Sequence, residues 1–183
     1  MTVFLVILGL ILAVFLWQVL VIGRENRFKH RQYEGAEGCA RSRGKELLVA
    51  GGPWGVKSYR YWLRMPAHGG GDVCLDIDPR AMRDHPCAVV ADITRMPFRD
   101  KSFGAVFISH VLEHVATTGD AVKALSELSR VADSVFIVYP YRQSLIAWVK
   151  REHHLWLWQE ENVVFLEPRG KAAGGAVKFT LPT

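Results

Sequence analysis

The sequence predicts an α/β domain built on a parallel sheet and preceded by a single transmembrane helix. Three observations carry that expectation. Residues 1–22 hold no charged side chain, and only Thr2, Gly9 and Gln18 fall outside the hydrophobic set. From Glu46 onward, short apolar runs alternate with turns and amphipathic stretches, the pattern of βαβ units whose sheet is covered on both faces. Between these parts, residues 24–45 hold seven Lys/Arg against three Glu, a charge of +4, whereas 46–183 carry only +1 of the chain's +5. The 183 residues thus divide into an anchor (1–23), a basic juxtamembrane linker (24–45) and one domain of ordinary size (46–183). Composition excludes the disordered, collagen-like and disulfide-scaffold classes.

The run Val3–Ile22 is interrupted only by Gly9 and Gln18. At ~1.5 Å per residue its length matches the ~30 Å hydrocarbon core of a bilayer. Trp17 lies near one end, where an amphipathic ring suits the interface. No basic segment precedes the run and no A-x-A-like site follows it, which favours an uncleaved span over a signal peptide. The basic collar Arg24–Arg31 comes after the helix, so the positive-inside rule puts the N-terminus outside and the domain in the cytoplasm. The collar also suits anionic headgroups, beside its simpler role as a topology signal. The rest of 24–45, with few apolar residues and three glycines, reads as a tether with room for a first helix of the body.

In the body, Glu46–Ala50, Asp72–Ile77, Cys87–Ala91, Ala105–Ser109 and Ser134–Tyr139 read as five strands. A helix over Val56–Met65 follows the first strand and is stopped by Pro66 and Gly69–Gly71. Ala121, Leu125, Leu128 and Ala132 recur at helical spacing from a start near Gly119-Asp120. A further helix is expected over Ser144–Lys150, and Val163–Glu167 with Ala176–Thr180 reads as a closing antiparallel hairpin. The odd number of cysteines fits a reducing compartment, and Cys74 and Cys87, inside apolar runs, are expected to be buried.

Open parallel sheets bind ligands at the carboxyl ends of their strands, where the strand order reverses. The first such loop is Gly51-Gly52-Pro53-Trp54-Gly55, whose glycines let the backbone approach a ligand. The spacing G-x-G-x-x-G is absent, with Pro53 and Val56 in place of its later glycines, which counts against a dinucleotide dehydrogenase. Asp76 ends the second strand, where a carboxylate can accept from both hydroxyls of a ribose. Asp92 follows the third strand, where it could accept from an adenine amino group. Singly, each aspartate is equally a capping or turn residue. Glycines and two carboxylates at three successive strand ends together favour a nucleoside site.

The segment Ala91-Asp92-Ile93-Thr94-Arg95-Met96-Pro97-Phe98-Arg99-Asp100-Lys101-Ser102-Phe103 is followed by Phe107-Ile108-Ser109-His110-Val111-Leu112-Glu113-His114-Val115. Together they resemble the class I S-adenosylmethionine-dependent methyltransferases, closest to the small-molecule and lipid branch. The resemblance is tight over 89–115 and looser over 46–140. It implies a Rossmann-like seven-stranded sheet ordered 3-2-1-4-5-7-6 and S-adenosyl-L-methionine as cofactor. It also implies that Gly51, Gly52 and Gly55 border the cofactor's methionine part, Asp76 and Ile77 its ribose, and Asp92 with Ile93 its adenine. Ser109 and His110 would face the transferred methyl group, His110 as the base where an acceptor must lose a proton. A histidine hydrogen-bonded to a neighbouring loop fits His110 equally well. Three positions depart from the family pattern: Val49 stands where an acidic residue is usual, Pro53 replaces the middle glycine, and Gly104 replaces the acidic residue closing S-F-D.

Other constellations point elsewhere only weakly. His110–His114 also fits H-x-x-E-H, but His110 ends an apolar strand, so no metal is expected. The aromatic and histidine-rich Lys150–Trp158 shapes an acceptor pocket, lies on the membrane or completes the core. The near-neutral body lacks the basic surplus that a nucleic-acid partner calls for. The expectation is a membrane-anchored methyltransferase with a small-molecule or lipid-like acceptor. The alternative is a non-catalytic binding or scaffold module of the same fold at the membrane.

Overall fold

A computed structural model describes residues 2–52, 69–82, 85–170 and 175–182 of the chain. In order they form helix α1 (Thr2–Ser42), strands β1 (Leu47–Ala50) and β2 (Val73–Asp76), a 3-10 turn (Pro79–Met82), β3 (Ala88–Val90) and β4 (Ala105–Ser109). A second 3-10 turn (Leu112–His114), helix α2 (Thr118–Val131), β5 (Val135–Val138) and helix α3 (Leu145–Val149) follow. The chain ends in β6 (Leu155–Glu160), β7 (Val163–Pro168) and β8 (Val177–Thr180). The helix expected over 56–65, together with Pro53 and Gly55, lies outside the described residues.

Strands β1 to β5 form an all-parallel sheet in the order β3-β2-β1-β4-β5, the first five places of the expected order. Period-two alternation divides its side chains between two layers. Leu47, Val49, Ala105 and Phe107 pack on one face with Ala36 and Ala40 of α1. Leu48, Ala50, Val106 and Ile108 pack on the other with Ala121, Leu125 and Leu128 of α2 and with Leu155, Leu157, Val164 and Leu166. Both faces being covered, β1 and β4 are buried along their whole length. Helix α2 starts at Thr117, whose Oγ1 accepts from the Asp120 N–H at 3.0 Å.

The expected count of seven strands in one sheet is corrected. Five strands form the parallel sheet, and β6-β7-β8 form a separate antiparallel one. Leu155–Glu160 is itself a strand, paired to β7 across the turn at Glu161, which takes φ +53°. Trp158 and Phe165 stack on it with ring centroids 4.9 Å apart. Strand β5 ends just before Pro140, which has no N–H to extend a ladder. The approach of β6 to this end is instead made by a side chain: the Gln159 N–H donates to the Tyr139 hydroxyl at 3.0 Å.

Helix α1 runs without a break through the basic segment, so residues 24–42 are helical and the last turns form one cover of the sheet. This packing accounts for Gly104. A Cβ there would lie 2.8 Å from the Ala40 Cα and 3.1 Å from the Ala40 carbonyl oxygen. Restoring the family's acidic residue with Gly104→Asp is therefore expected to destabilise the chain by about 3 kcal/mol, read as a fall in thermal midpoint of the detergent-solubilised protein. Val49 faces the same apolar layer. Of the cysteines expected to be buried, Cys74 is, but Cys87 is exposed because it precedes the edge strand β3, whose Ala88 and Val90 are themselves exposed.

Candidate functional site

The strand order reverses between β1 and β4, and the cleft at the carboxyl ends of these strands is where the candidate residues gather. Gly51, Asp76, Ile77, Asp92 and Ile93 line one cavity of about 490 Å³. That volume is of the size that small-molecule sites use, roughly 300–1,000 Å³. Gly51 leaves β1 with φ +94° and Gly52 with φ +35°, a region L side chains rarely adopt. A Cβ on Gly51 would come within 2.0 Å of a Val111 methyl, and one on Gly52 within 2.7 Å of the Ala81 Cβ. The Gly51 N–H is committed to the Leu75 carbonyl at 2.7 Å, so this glycine shapes the cleft by its bareness rather than by that donor.

Asp76 closes β2 and is 9% exposed. Its Oδ1 accepts from the Asp78 N–H at 2.8 Å, which turns the carboxylate at the strand end. Burial pushes its carboxyl above the ordinary value; the Asp78 N–H opposes this, and the Asp78 carboxylate adds to it. Because the native value is raised above the unfolded one, the ionised form costs stability at neutral pH, and the cost fades as pH falls through the raised value. Asp76→Asn is thus expected to raise the thermal midpoint at neutral pH, with a gain that shrinks on acidification. Equal midpoints across that range would contradict this account.

Asp92 is held as a turn: the Thr94 N–H and hydroxyl both reach its Oδ1 at 2.8 Å. The segment behind it is tied to α2. The Arg130 guanidinium donates to the carbonyls of Phe98 (2.8 Å) and Met96 (3.1 Å), and Glu127 accepts from the Met96 N–H at 2.7 Å. Glu127 and Asp100 in turn pair with Arg130. The long Asp92–Phe103 motif is therefore mostly a brace that sets Asp92 and Ile93 against the cleft.

Ser109 and His110 end β4 beside Val111, which does line the cavity, but they are not themselves among its lining residues. The Ser109 hydroxyl is buried with no partner among the described residues. His110 takes φ +57°, and its Nδ1 lies 3.3 Å from Oε1 of the fully buried Glu113. Gly52 is not among the lining residues either, and Gly55 lies outside the described residues. The cleft also takes in Thr94, Val111, His114, Val115 and Asp120. Val111, His114 and Val115 belong to the second half of the motif quoted above, and their i, i+3, i+4 spacing was the signal that could have placed them together.

Among the described residues, Glu113, His114 and His153 are the group able to hold a metal ion, with donor atoms within 4.8 Å of one another. His114 Nδ1 meets the Glu152 carbonyl at 3.1 Å, and the His154 N–H donates to the Glu113 carbonyl at 2.7 Å. Burial lowers the basicity of His153, against the pull of Glu113. These contacts pin the Leu112–His114 turn beneath β6.

The cleft carries carboxylates from three elements, Asp76, Asp92 and Asp120, and no Lys or Arg among its described lining residues. Such a lining is unsuited to a pyrophosphate and suited to a ligand bearing positive charge. Fold and cleft thus define an α/β domain with a carboxylate-lined cavity at the carboxyl ends of its parallel strands. Residues 56–135 match the family model described as a methyltransferase domain. That match covers 80 of the 183 residues and supports a class I S-adenosylmethionine-dependent methyltransferase domain, with S-adenosyl-L-methionine as its cofactor. No protein of curated function matches it.

Several solved structures are similar in fold. The PH0226 protein from Pyrococcus horikoshii is 18% identical over 77% of this chain and 71% of its own, with a TM-score of 0.42. The N-methyltransferase NodS from Bradyrhizobium japonicum, in complex with S-adenosylhomocysteine, is 16% identical over 57% of each chain, with a TM-score of 0.37. CalS10, an amino pentose methyltransferase from Micromonospora echinaspora solved with S-adenosylmethionine bound, is 16% identical over 89% of this chain and 79% of its own, with a TM-score of 0.43. The chain spans little more than half the length of NodS.

Proposed function

We propose that the protein is a membrane-anchored S-adenosylmethionine-dependent methyltransferase whose acceptor is a small or lipid-like molecule. The observation that carries this reading is the cleft at the ends of β1 to β4, with Asp76 and Asp92 on its wall and no Lys or Arg among its described lining residues. Residues 1–23 act as the anchor, with the N-terminus outside, and 46–183 as the cytoplasmic methyltransferase domain. The helix α1 is long and apolar enough to cross a membrane, and the basic residues that follow support this orientation.

The cofactor supplies a methyl group on a positively charged sulfur. Asp76 accepts from the ribose hydroxyls, beside Ile77; Asp92 accepts from the adenine amino group, which lies against Ile93. Gly51, Gly52 and Gly55 leave room for the methionine part. The bare face of Gly51 supports this, since any side chain there meets Val111. Methyl transfer is an in-line displacement that asks the protein for alignment and exclusion of water. His110, part-exposed just after β4, stands toward the acceptor; the Ser109 hydroxyl beside it is buried. His110 takes the acceptor's proton where one is lost, and its Nδ1 lies 3.3 Å from the buried Glu113 carboxylate.

The second reading, a module that has kept the fold and lost turnover, is favoured by Val49 in β1 and Pro53 in the loop after it. Calorimetry with S-adenosylmethionine and S-adenosylhomocysteine on the full chain in detergent tests both. Binding of both ligands is expected, and absence of binding at millimolar ligand rejects the enzyme reading. His110→Ala is expected to leave the affinity for S-adenosylhomocysteine within about twofold, a change below 0.5 kcal/mol, because His110 does not line the cleft. A large loss would move His110 into the cofactor site.

A further inference from the structure

Helix α3 and its flanks carry features that a methyltransferase cleft does not use. Leu145, Ile146, Trp148 and Val149 are 49%, 55%, 56% and 78% exposed, while Ala147 between them is buried against the body. Four large apolar side chains in one five-residue helix form a contiguous patch of the kind that marks a contact surface.

The position of this patch along α1 identifies the contact. Gln18, the most polar interruption of the apolar run, does not point idly outward. Its Nε2 donates to the Gln143 carbonyl at 3.1 Å, and its Oε1 accepts from the Leu145 N–H at 2.9 Å. The start of α3 is thereby fixed at the level of Gln18, four residues before the end of the apolar run at Ile22. At ~1.5 Å per residue that is about 6 Å inside the end of the span, the depth at which amphipathic helices lie in a leaflet.

The backbone of α3 is finished in a way that suits a place poor in water. Gln18 satisfies groups at its start. At its end the Arg169 guanidinium donates to the carbonyls of Ala147 (2.8 Å), Trp148 (2.8 Å) and Lys150 (3.1 Å). The Trp148 indole N–H donates to the Arg142 carbonyl at 2.6 Å, and its ring is tilted against Trp156 at 4.8 Å between centroids, with 56% of the residue still exposed. A short helix end in water needs no such partners; in a leaflet each unpaired group costs several kcal/mol.

Charge completes the match. Arg24 and Arg27, just beyond the apolar run of α1, and Lys150 and Arg151, just after α3, are exposed. Between α1 and the body runs a groove of about 800 Å³ whose walls include Trp17, Leu20, Arg24, Arg27, Tyr141 and Trp158. An apolar floor with cations at its rim fits a phospholipid, acyl chain along Leu20 and Trp17 and phosphate between the two arginines.

We propose that α3 lies in the same leaflet as the C-terminal end of the span, with Leu145, Ile146, Trp148 and Val149 inserted among phospholipids and one phospholipid seated in the groove against Arg24 and Arg27. The occupant of this surface is the bilayer itself. The inference rests on the reading of α1 as a membrane span, and adds that the domain is docked on the membrane rather than tethered beneath it.

The test places nitroxide labels on the full chain, with Cys39 and Cys87 changed to Ser, in vesicles of phosphatidylcholine and phosphatidylglycerol. Labels go at Ile146→Cys and Val149→Cys, with Leu10→Cys as the mid-span reference and Ser126→Cys as the aqueous one. Both α3 labels are expected to show a several-fold higher ratio of oxygen to nickel-chelate collisions than Ser126, as Leu10 does. Nickel access at both α3 positions, with Leu10 still in lipid, overturns the docking and leaves the span intact. Exclusion of both reagents means a second copy of the chain covers α3 and also overturns it. A water-exposed Leu10 label rejects the span, and the docking with it. For the groove, Arg24→Gln with Arg27→Gln is expected to reduce the phosphatidylglycerol co-purified with the detergent-solubilised chain several-fold, and equal lipid in both rejects that seat.

Discussion

Asp76→Ala is expected to weaken S-adenosylhomocysteine binding by about 100-fold or more, roughly 3 kcal/mol, while the chain stays folded. A carboxylate that accepts two ribose hydroxyls makes two charge-assisted hydrogen bonds, each stronger than a neutral one. The size of the loss comes from the setting. Asp76 is buried at the end of β2, its Oδ1 already oriented by the Asp78 N–H, so the ligand meets a carboxylate that needs little ordering. Its raised value adds a pH signature: wild-type affinity falls on acidification earlier than an ordinary carboxylate would dictate. Calorimetry at two pH values reads both effects. Unchanged affinity in Asp76→Ala would remove the ribose assignment and, with it, the strongest residue of the proposed site.

Gly51→Ala is expected to cost about 3 kcal/mol of stability and to lower cofactor affinity at the same time. Two independent penalties meet there. The backbone holds φ +94°, where an L side chain is strained, and the added Cβ lies 2.0 Å from a Val111 methyl. Val111 is β-branched and cannot swing aside cheaply. It also lines the cleft, so relief of the clash moves the wall that the ligand touches. Thermal melts of the solubilised chain and calorimetry with S-adenosylhomocysteine separate the two losses. A variant as stable as the wild type would show that the β1 loop is not held as described.

The five parallel strands were legible because each is a short apolar run bounded by turn residues, and burial on both faces makes the runs of β1 and β4 continuous. Asp76 and Asp92 were legible for the same reason, since a polar residue at the end of an apolar strand must sit at the sheet's carboxyl edge. Asp120 was seen only as a helix start; its place on the cleft wall depends on where α2 crosses β4, which no local pattern states. The first strand of the C-terminal meander, β6, escapes the sequence because Leu155-Trp156-Leu157-Trp158 reads as aromatic bulk, and its partner lies across a two-residue turn without glycine.

By itself the sequence determined the elements and their type: an apolar segment of bilayer length, a basic collar, alternating strands and helices, and two acidic strand ends. Those are properties of neighbours along the chain, fixed by periodicity, capping and side-chain bulk. The tertiary structure alone decided what distant residues do for one another. Gln18 looks like a flaw in the span until it is seen holding Gln143 and Leu145, more than a hundred residues away. Gly104 looks like a lost carboxylate until the Ala40 backbone is found where its side chain would go. Burial and hydrogen bonding across such separations depend on how layers pack, and packing is a property of the folded whole.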